Sequence, residues 1–360
     1  MTDHAGDGDD LTGEPHTWPE VQARMDGFPF PPLLECRDMP IIHEMNTESI
    51  MVMMPNGNAV YLKRPLNQSL FGEVYEGFTG VCTNPSDPYT FNARRSPLVA
   101  IKRSELSLLR RPSAENVFKE IAVMRDLASA PDMPNGCNYI MPLMAACFSS
   151  THLYIITPLC SGGDLLKKIT PEHGLEEPLA QRWFRQILIG IGYIHRKGLC
   201  HHDVSPENIV ITGDGGVAIV MDFGMTQRLE LNEAGDVVPR RDDNFFGKLK
   251  YAAPEIFQNE EYDGRKADIW SVGVTLLVCL SGEYPWEAPT PVPRGRWRFS
   301  NIMRYSFLAQ HGPRALIRMM SLEHPRLSEN AIDLLCTLLA IDPARRPSSA
   351  AGLVNHRFFG

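Results

Sequence analysis

The sequence predicts an α+β fold of two lobes, a small β-rich lobe followed by a larger α-helical one. Three observations carry this. Between about 55 and 156, strand-like runs ("AVYL", "EVYEG", "LVAIKRS", "LYIIT") surround one helical segment. Beyond 165, apolar residues return every three or four positions, as in "EPLAQRWFRQILIGIGYIHRKG", with Pro178 near its start and Gly198 past its end. The 360 residues, 43% apolar and 22% charged, suit one large or two medium globular domains. The chain divides into an N-terminal extension over 1–58, disordered or partly docked, an N-lobe with its hinge over 59–160, and a C-lobe over 161–360. The join, near 157–164, is a natural cleft.

Taken in order, the first 45 or so residues are acidic and proline-rich, with weak periodicity, and are expected to be largely disordered. Within them "FPFPPLLE" reads as a linker or as a polyproline docking segment. "LNQSLFGEVYEG", from Leu66 to Gly77, reads as strand, turn, strand, and small residues in such a turn let backbone N–H groups approach phosphates. "VAIK" closes a buried strand with the cation Lys102. In "SAENVFKEIAVMRDL", Ser113 is the expected N-cap, and Val117, Ile121, Met124 and Ala128 form the inward stripe. Glu120 sits on that stripe. An inward carboxylate needs a partner, and Lys102 is the expected one; the other reading is a solvent-side glutamate. "IWSVGVTLLVCL", 269–280, is too short to span a bilayer and reads as a buried helix.

Charge and cysteine content bound the function. A formal charge of -8, from 35 basic and 43 acidic residues, gives no broad cationic field, so no nucleic-acid partner is expected. The local run "RGRWRF" reads as a solvated loop, RNA contact being the other reading. The eight cysteines show no C-x-x-C pairing and fall mostly in apolar runs, as buried thiols of a reducing compartment do. "MTDHAGDGDD" has no apolar core of a signal peptide. The expected location is intracellular, the cytoplasm first and the nucleus open, with no membrane span.

The stretch "CHHDVSPENIVITGDGGVAIVMDFG", Cys200–Gly224, concentrates the chemistry. The turn "TGDGG" between two short apolar runs predicts a hairpin. An antiparallel return places Asn208 and Asp222 side by side at one end. An amide oxygen and a carboxylate are hard ligands, suited to magnesium whose shell phosphates complete. A surface hairpin with polar ends is the plainer reading of the same residues.

The chain resembles the eukaryotic protein kinases, of a divergent serine/threonine type, from about Leu66 to Phe359. "FGEVY", "VAIK", "HHDVSPEN", "DFG", "AAPE", "DIWSVG" and "DPARRPS" stand in that family's order and spacing. The resemblance implies the two-lobed protein kinase fold, ATP and Mg2+ as cofactors, and transfer of the γ-phosphate to serine or threonine hydroxyls of protein substrates. By position, Lys102 would hold the α/β-phosphates and pair with Glu120. Asp203 would accept the substrate's proton, and Asn208 and Asp222 would ligate magnesium. Leu66, Asn67, Ser69 and Gly72 would form the phosphate loop, and Val74 and Ala100 would line the adenine site. Thr157 would be the gatekeeper, with the carbonyl of Pro158 and the N–H of Cys160 meeting the adenine edge. Asp164 would approach the ribose or a basic substrate residue. With Glu207 it hints at basic residues upstream of the acceptor. His201, Phe223, Asp268 and the pair Glu255–Arg346 are expected to be structural.

Departures from the family pattern raise one alternative, a pseudokinase acting as a nucleotide-binding or scaffold module. Only the third glycine of the glycine-rich loop, Gly72, is kept; Asn67 and Ser69 stand at the other two positions. His202 replaces the arginine before the catalytic aspartate. Ser205 replaces the catalytic-loop lysine, and Lys248 stands where a threonine is usual. Either these two groups have exchanged catalytic places, or Lys248 is a solvated lysine and Ser205 a simple loss. An insertion at 77–97 and an extended stretch at 287–325 are expected to be loops. The oligomeric state is not legible.

Overall fold

The computed structural model of the 360-residue chain describes residues 43–45, 51–53, 58–82, 91–92, 98–109, 115–128, 137–171, 173–213, 216–241, 247–258, 260–286, 290–292, 296–298, 302–323 and 327–360. Its N-terminal half is a sheet of β1 (His43–Met45), β2 (Met51–Met53), β3 (Asn58–Ser69), β4 (Gly72–Cys82), β5 (Phe91–Asn92), β6 (Leu98–Glu105), β7 (Ala145–Phe148) and β8 (His152–Pro158). The order is β1-β2-β3-β4-β6-β8-β7, with β5 on β4. β-Branched residues dominate the inner face, as pleated, half-buried strands require. Val60, Leu62, Val99, Ile101, Cys147, Tyr154 and Ile156 form a small core on it. β1 and β2 lie inside the 1–58 extension and continue the sheet beyond β3. The short helix α1 (Leu106–Leu109) and then α2 (Val117–Ala128) follow β6.

Beyond the hinge come β9 (Gly163–Asp164), α3 (Glu177–Arg196), β10 (Leu199–Cys200), β11 (Ile209–Ile211), β12 (Ala218–Val220) and β13 (Gln227–Arg228). After these come α4 (Pro254–Phe257), α5 (Gly264–Ser281), β14 (Thr290–Val292), β15 (Arg296–Arg298), α6 (Ile302–Glu323) and α7 (Glu329–Leu338). α3 has Pro178 in its first turn, where a missing N–H is harmless, and Gly198 past its end at φ 70°. α5 is apolar nearly all round and is buried over almost its whole length, as the apolar run at 269–280 predicts. Asp263 caps its start by accepting from Arg265 N–H, and Gly282 ends it at φ 75°. The large core joins α3, α5 and α7 and also takes in Ile121, Met124 and Leu127 of α2.

Several expectations need correction. The cap of α2 is Asn116, whose Oδ1 accepts from Lys119 N–H at 2.9 Å; Ser113 lies outside the described residues. Ala128 is exposed, because the helix ends there and the last turn leaves the core. The stretch 287–325 is not simply a loop. β14 pairs with β15, and α6 runs over 302–323. Gly312, at φ 78°, and Pro313 kink α6 and interrupt the apolar period that would reveal it. In the insertion, β4 runs on to Cys82 and pairs with β5. The hairpin β11–β12 has the predicted ends, with Ile209 opposite Val220. Among the described residues no helix is long and apolar enough to cross a membrane.

Candidate active site

The site is assembled from both lobes. Lys102 lies in β6 between Val74 of β4 and Ile155 of β8. Strand alternation turns it away from Val99 and Ile101, which are packed in the small core, and toward α2. Asn116 starts α2 so that Glu120 falls in its first turn, facing in. Lys102 Nζ donates to Glu120 Oε2 at 2.8 Å and to Glu115 Oε1 at 3.2 Å. Burial alone would strip the proton from Lys102, but Glu120, Asp222 and Glu115 outweigh it and hold the ammonium. The same burial pushes Glu120 up to about 7, with Asp222 adding to the rise and Lys102 opposing it.

Asp268 shapes the catalytic loop from below. Its Oδ2 accepts from His201 N–H and its Oδ1 from His202 N–H, each at 2.8 Å, and His195 Nε2 lies 2.9 Å from Oδ2. These donors hold His202 at φ 63°, a conformation costly for a non-glycine residue, and so aim the next side chain into the cleft. That side chain is Asp203. Asn208 Nδ2 donates to Asp203 Oδ2 at 2.6 Å and to its carbonyl at 2.8 Å. Lys248 donates twice more, N–H to Oδ1 at 2.9 Å and Nζ to Oδ2 at 3.0 Å. Lys248 Nζ also donates to Ser205 Oγ at 3.0 Å. Burial raises the Asp203 carboxyl above the ordinary range, and Lys248 works against that.

The hairpin β11–β12 brings the expected metal ligands to one end, where Met221 N–H donates to the Asn208 carbonyl at 2.9 Å. Asp222 follows at φ 67°. Burial would raise its carboxyl, but Lys102 and His201 hold it below the usual range, so it is ionised. The Asn208 amide spends its nitrogen on Asp203, which presents its oxygen away from that carboxylate. Two hard oxygen donors at one hairpin end suit a magnesium ion. His201 is structural: Nε2 lies 3.1 Å from the Met221 carbonyl, Nδ1 accepts from Asp203 N–H at 3.2 Å, and its ring packs on Phe223.

The remaining predicted residues surround these. Leu66, Asn67 and Ser69 lie in β3, and Ser69 pairs with Gly72 across the two-residue turn Leu70–Phe71, so the turn closes without the other two glycines. Gly72 is required, since a Cβ there would stand 2.2 Å from the Arg103 carbonyl oxygen. Ala100 pairs with Thr157 and with Glu76, beside Val74. Leu159 N–H donates to the Leu98 carbonyl at 3.1 Å, so alternation turns the Pro158 carbonyl and Cys160 N–H the other way. Asp164 is occupied locally: it accepts from Lys167 N–H at 3.0 Å and pairs with Lys167 Nζ at 2.6 Å. Arg346 makes a forked pair with buried Glu255, at 2.8 and 2.6 Å.

Two contacts lie beyond the sequence reading. Glu115 joins Lys102, and its oxygen lies within 4.8 Å of those of Glu120 and Asp222. It precedes α2, where no helical face can be read. The backbone N–H of Lys248 on Asp203 is invisible in any motif, although Gly247, whose Cβ would stand 2.2 Å from the His202 carbonyl oxygen, marks the close approach that makes it.

Comparison with known proteins is consistent with this arrangement. Residues 89–359 match the protein kinase domain. The serine/threonine-protein kinase CHK1 of Mycosarcoma maydis is 33% identical over 207 residues, 58% of this chain and 28% of that protein. The serine/threonine-protein kinase SAPK3 of Oryza sativa subsp. indica is 30% identical over 254 residues, 70% of this chain and 67% of that protein. The serine/threonine-protein kinase grp of Drosophila melanogaster is 31% identical over 224 residues, 61% of this chain and 41% of that protein. The chain thus spans between about a quarter and two thirds of these relatives. The domain match begins after β3 and β4, which the structure places in the same sheet as β6.

Proposed function

The chain belongs to the protein kinase domain family, and on that premise we propose that it is an ATP-dependent protein serine/threonine kinase. Members of the family generally use ATP and Mg2+. The observation that carries the proposal is the joint survival of two separate constellations: Lys102 on Glu120 at 2.8 Å, and Asp203 held by Asn208 at 2.6 Å beside the hairpin that bears Asp222. In this reading Lys102 grips the α/β-phosphates and Glu120 positions it. Asn208 and Asp222 hold magnesium, which when bound neutralises phosphate charge. Val74, Ala100, Thr157 and the hinge groups of Pro158 and Cys160 take the adenine. Leu66, Asn67, Ser69 and Gly72 cover the phosphates.

Asp203 orients the acceptor hydroxyl and takes its proton. Its raised carboxyl suits it to receive one, and its fixed geometry is worth more than its basicity in a reaction with a loose transition state. The proposed substrates are proteins, with "SPEN" in the serine/threonine pattern. A preference for basic residues upstream of the acceptor rests on Glu207, half-buried in the catalytic loop, more than on Asp164, which Lys167 already holds.

The test separates the roles. Asp203→Ala and Asp222→Ala are both expected to abolish transfer, but only Asp222→Ala is expected to weaken magnesium-dependent nucleotide binding, read by thermal-shift titration with Mg-ATP. Losing the proton acceptor leaves the ground-state complex intact, whereas losing a metal ligand does not. Equal loss of nucleotide binding in both variants would contradict these roles.

A further inference from the structure

A phosphoryl-transfer site needs positive charge on the transferring group, and here the catalytic loop supplies none at Ser205. The charge comes from elsewhere. Lys248 reaches back from the activation segment (222–255), and its Nζ lies 3.0 Å from Asp203 Oδ2 and 3.0 Å from Ser205 Oγ. Ser205 is wholly buried, so its hydroxyl is a fixed acceptor rather than a surface group. The Lys248 side chain is 35% exposed, against 53% for Lys63 and 62% for Lys167. Its backbone is fixed as well, by N–H to Asp203 Oδ1 at 2.9 Å and by Gly247 at φ 87° against the His202 carbonyl.

We propose that Lys248 is the catalytic cation of the transfer site, delivered by the activation segment, and that Ser205 is the hydroxyl that orients it. The inference rests on the kinase reading above and deepens it. An ammonium has three N–H groups. Asp203 and Ser205 take two, which leaves the third for an oxygen of the transferring phosphoryl group. In the step, the acceptor oxygen bonds to phosphorus as the bond to the ADP oxygen breaks. The acceptor proton passes to Asp203, and Lys248 keeps its own protons while offsetting charge on the phosphoryl oxygens. Lys102 is not a substitute: Glu120 and Glu115 take two of its N–H groups, and the third is assigned to the α/β-phosphates rather than to the transferring group. The arrangement makes the catalytic charge conditional on an ordered activation segment: if residues 247–248 move, charge and N–H donor leave Asp203 together.

The test uses the full chain and two readouts, equilibrium binding of Mg-ADP with and without aluminium fluoride, and steady-state kinetics on a generic protein substrate. Lys248→Thr is expected to bind Mg-ADP within about twofold of wild type but to lose at least about tenfold for the aluminium fluoride complex. Its kcat should fall on the order of a hundredfold with little change in ATP KM, the size seen when one preorganised donor is removed. Ser205→Lys, which crowds two ammonium groups, should also fall. The double variant Ser205→Lys/Lys248→Thr should recover most of both readouts. Mg-ADP binding reports that each variant is folded, and Lys248→Gln serves if Lys248→Thr is not. Aluminium fluoride binding and kcat within threefold of wild type in the folded single variants at Lys248 would overturn the proposal. A wild-type chain that binds Mg-ADP but gains nothing from aluminium fluoride and transfers no phosphate would overturn the kinase reading beneath it.

Discussion

Asp268 is a single carboxylate on which the catalytic loop depends. It is fully buried, with two backbone N–H groups and His195 directed at it. Burial alone would raise its carboxyl, but His195 and the neighbouring histidines hold it below the ordinary range. A depressed carboxyl contributes stability that is present above the unfolded-state value and is lost as pH falls through the folded one. Asp268→Asn should therefore cost about 2–4 kcal/mol near neutrality, since charge-assisted hydrogen bonds are lost or weakened. The gap to wild type should narrow as pH drops below about 4. Thermal melts from pH 7 down to pH 3 check this, and a gap that does not change with pH would count against it. Asp268 was legible only through resemblance, because nothing local marks a helix carboxylate as the anchor of a distant loop. The Lys102–Glu120 pair was legible from physics, because a charge on an apolar stripe demands a partner. Glu115 was not, because it sits in an aperiodic link.

At the scale of the element, the activation segment is held without phosphate. Its hydroxyls are Thr226, fully buried, and Tyr251, 3% exposed and bonded through its hydroxyl to Tyr284 at 3.2 Å. His202, where an arginine would grip a phosphate, packs its ring edge-on against Tyr262 at 5.9 Å. Tyr262 in turn exchanges two backbone hydrogen bonds with Arg240, both 2.9 Å, which pins the segment's far arm. Asn116 N–H donates to the Gly224 carbonyl at 3.2 Å, tying the start of α2 to the segment's beginning. The half-exposed pair Arg228–Asp126 at 3.3 Å adds little, on the order of 0.2–1 kcal/mol. Phosphatase-treated chain is expected to keep full activity, with no phosphate on Thr226 or Tyr251 by mass spectrometry. A tenfold fall on dephosphorylation would contradict this. That the segment carries only Thr226 and Tyr251 as hydroxyls was legible in the sequence; the backbone clamp of Arg240 on Tyr262 was not, because the two lie 22 positions apart in irregular chain. α6 was missed for a local reason, the break at Gly312–Pro313.

Across the whole molecule, two cores meet at the site. The small core carries β6 and so Lys102; the large core carries the catalytic loop and also the inner face of α2. The Lys102–Glu120 bond therefore joins the two cores from within the N-lobe, and an intact bond reports that α2 is seated against β6. Strand runs, helical period and motif order made this two-lobed plan legible. The exact reach of the sheet was not, since the three-residue strands β1 and β2 carry too little pattern to be told from the surrounding extension. The central claim is that this assembly moves a phosphoryl group rather than merely binding a nucleotide. The most direct measurement incubates the purified chain with ATP labelled in its γ-phosphate, Mg2+ and a generic protein substrate, then identifies the labelled residues. The account predicts label on serine or threonine from the wild type, and none from Asp203→Asn or without Mg2+. Nucleotide binding by the wild type with no label on any protein would contradict it and leave a binding module built on a kinase frame.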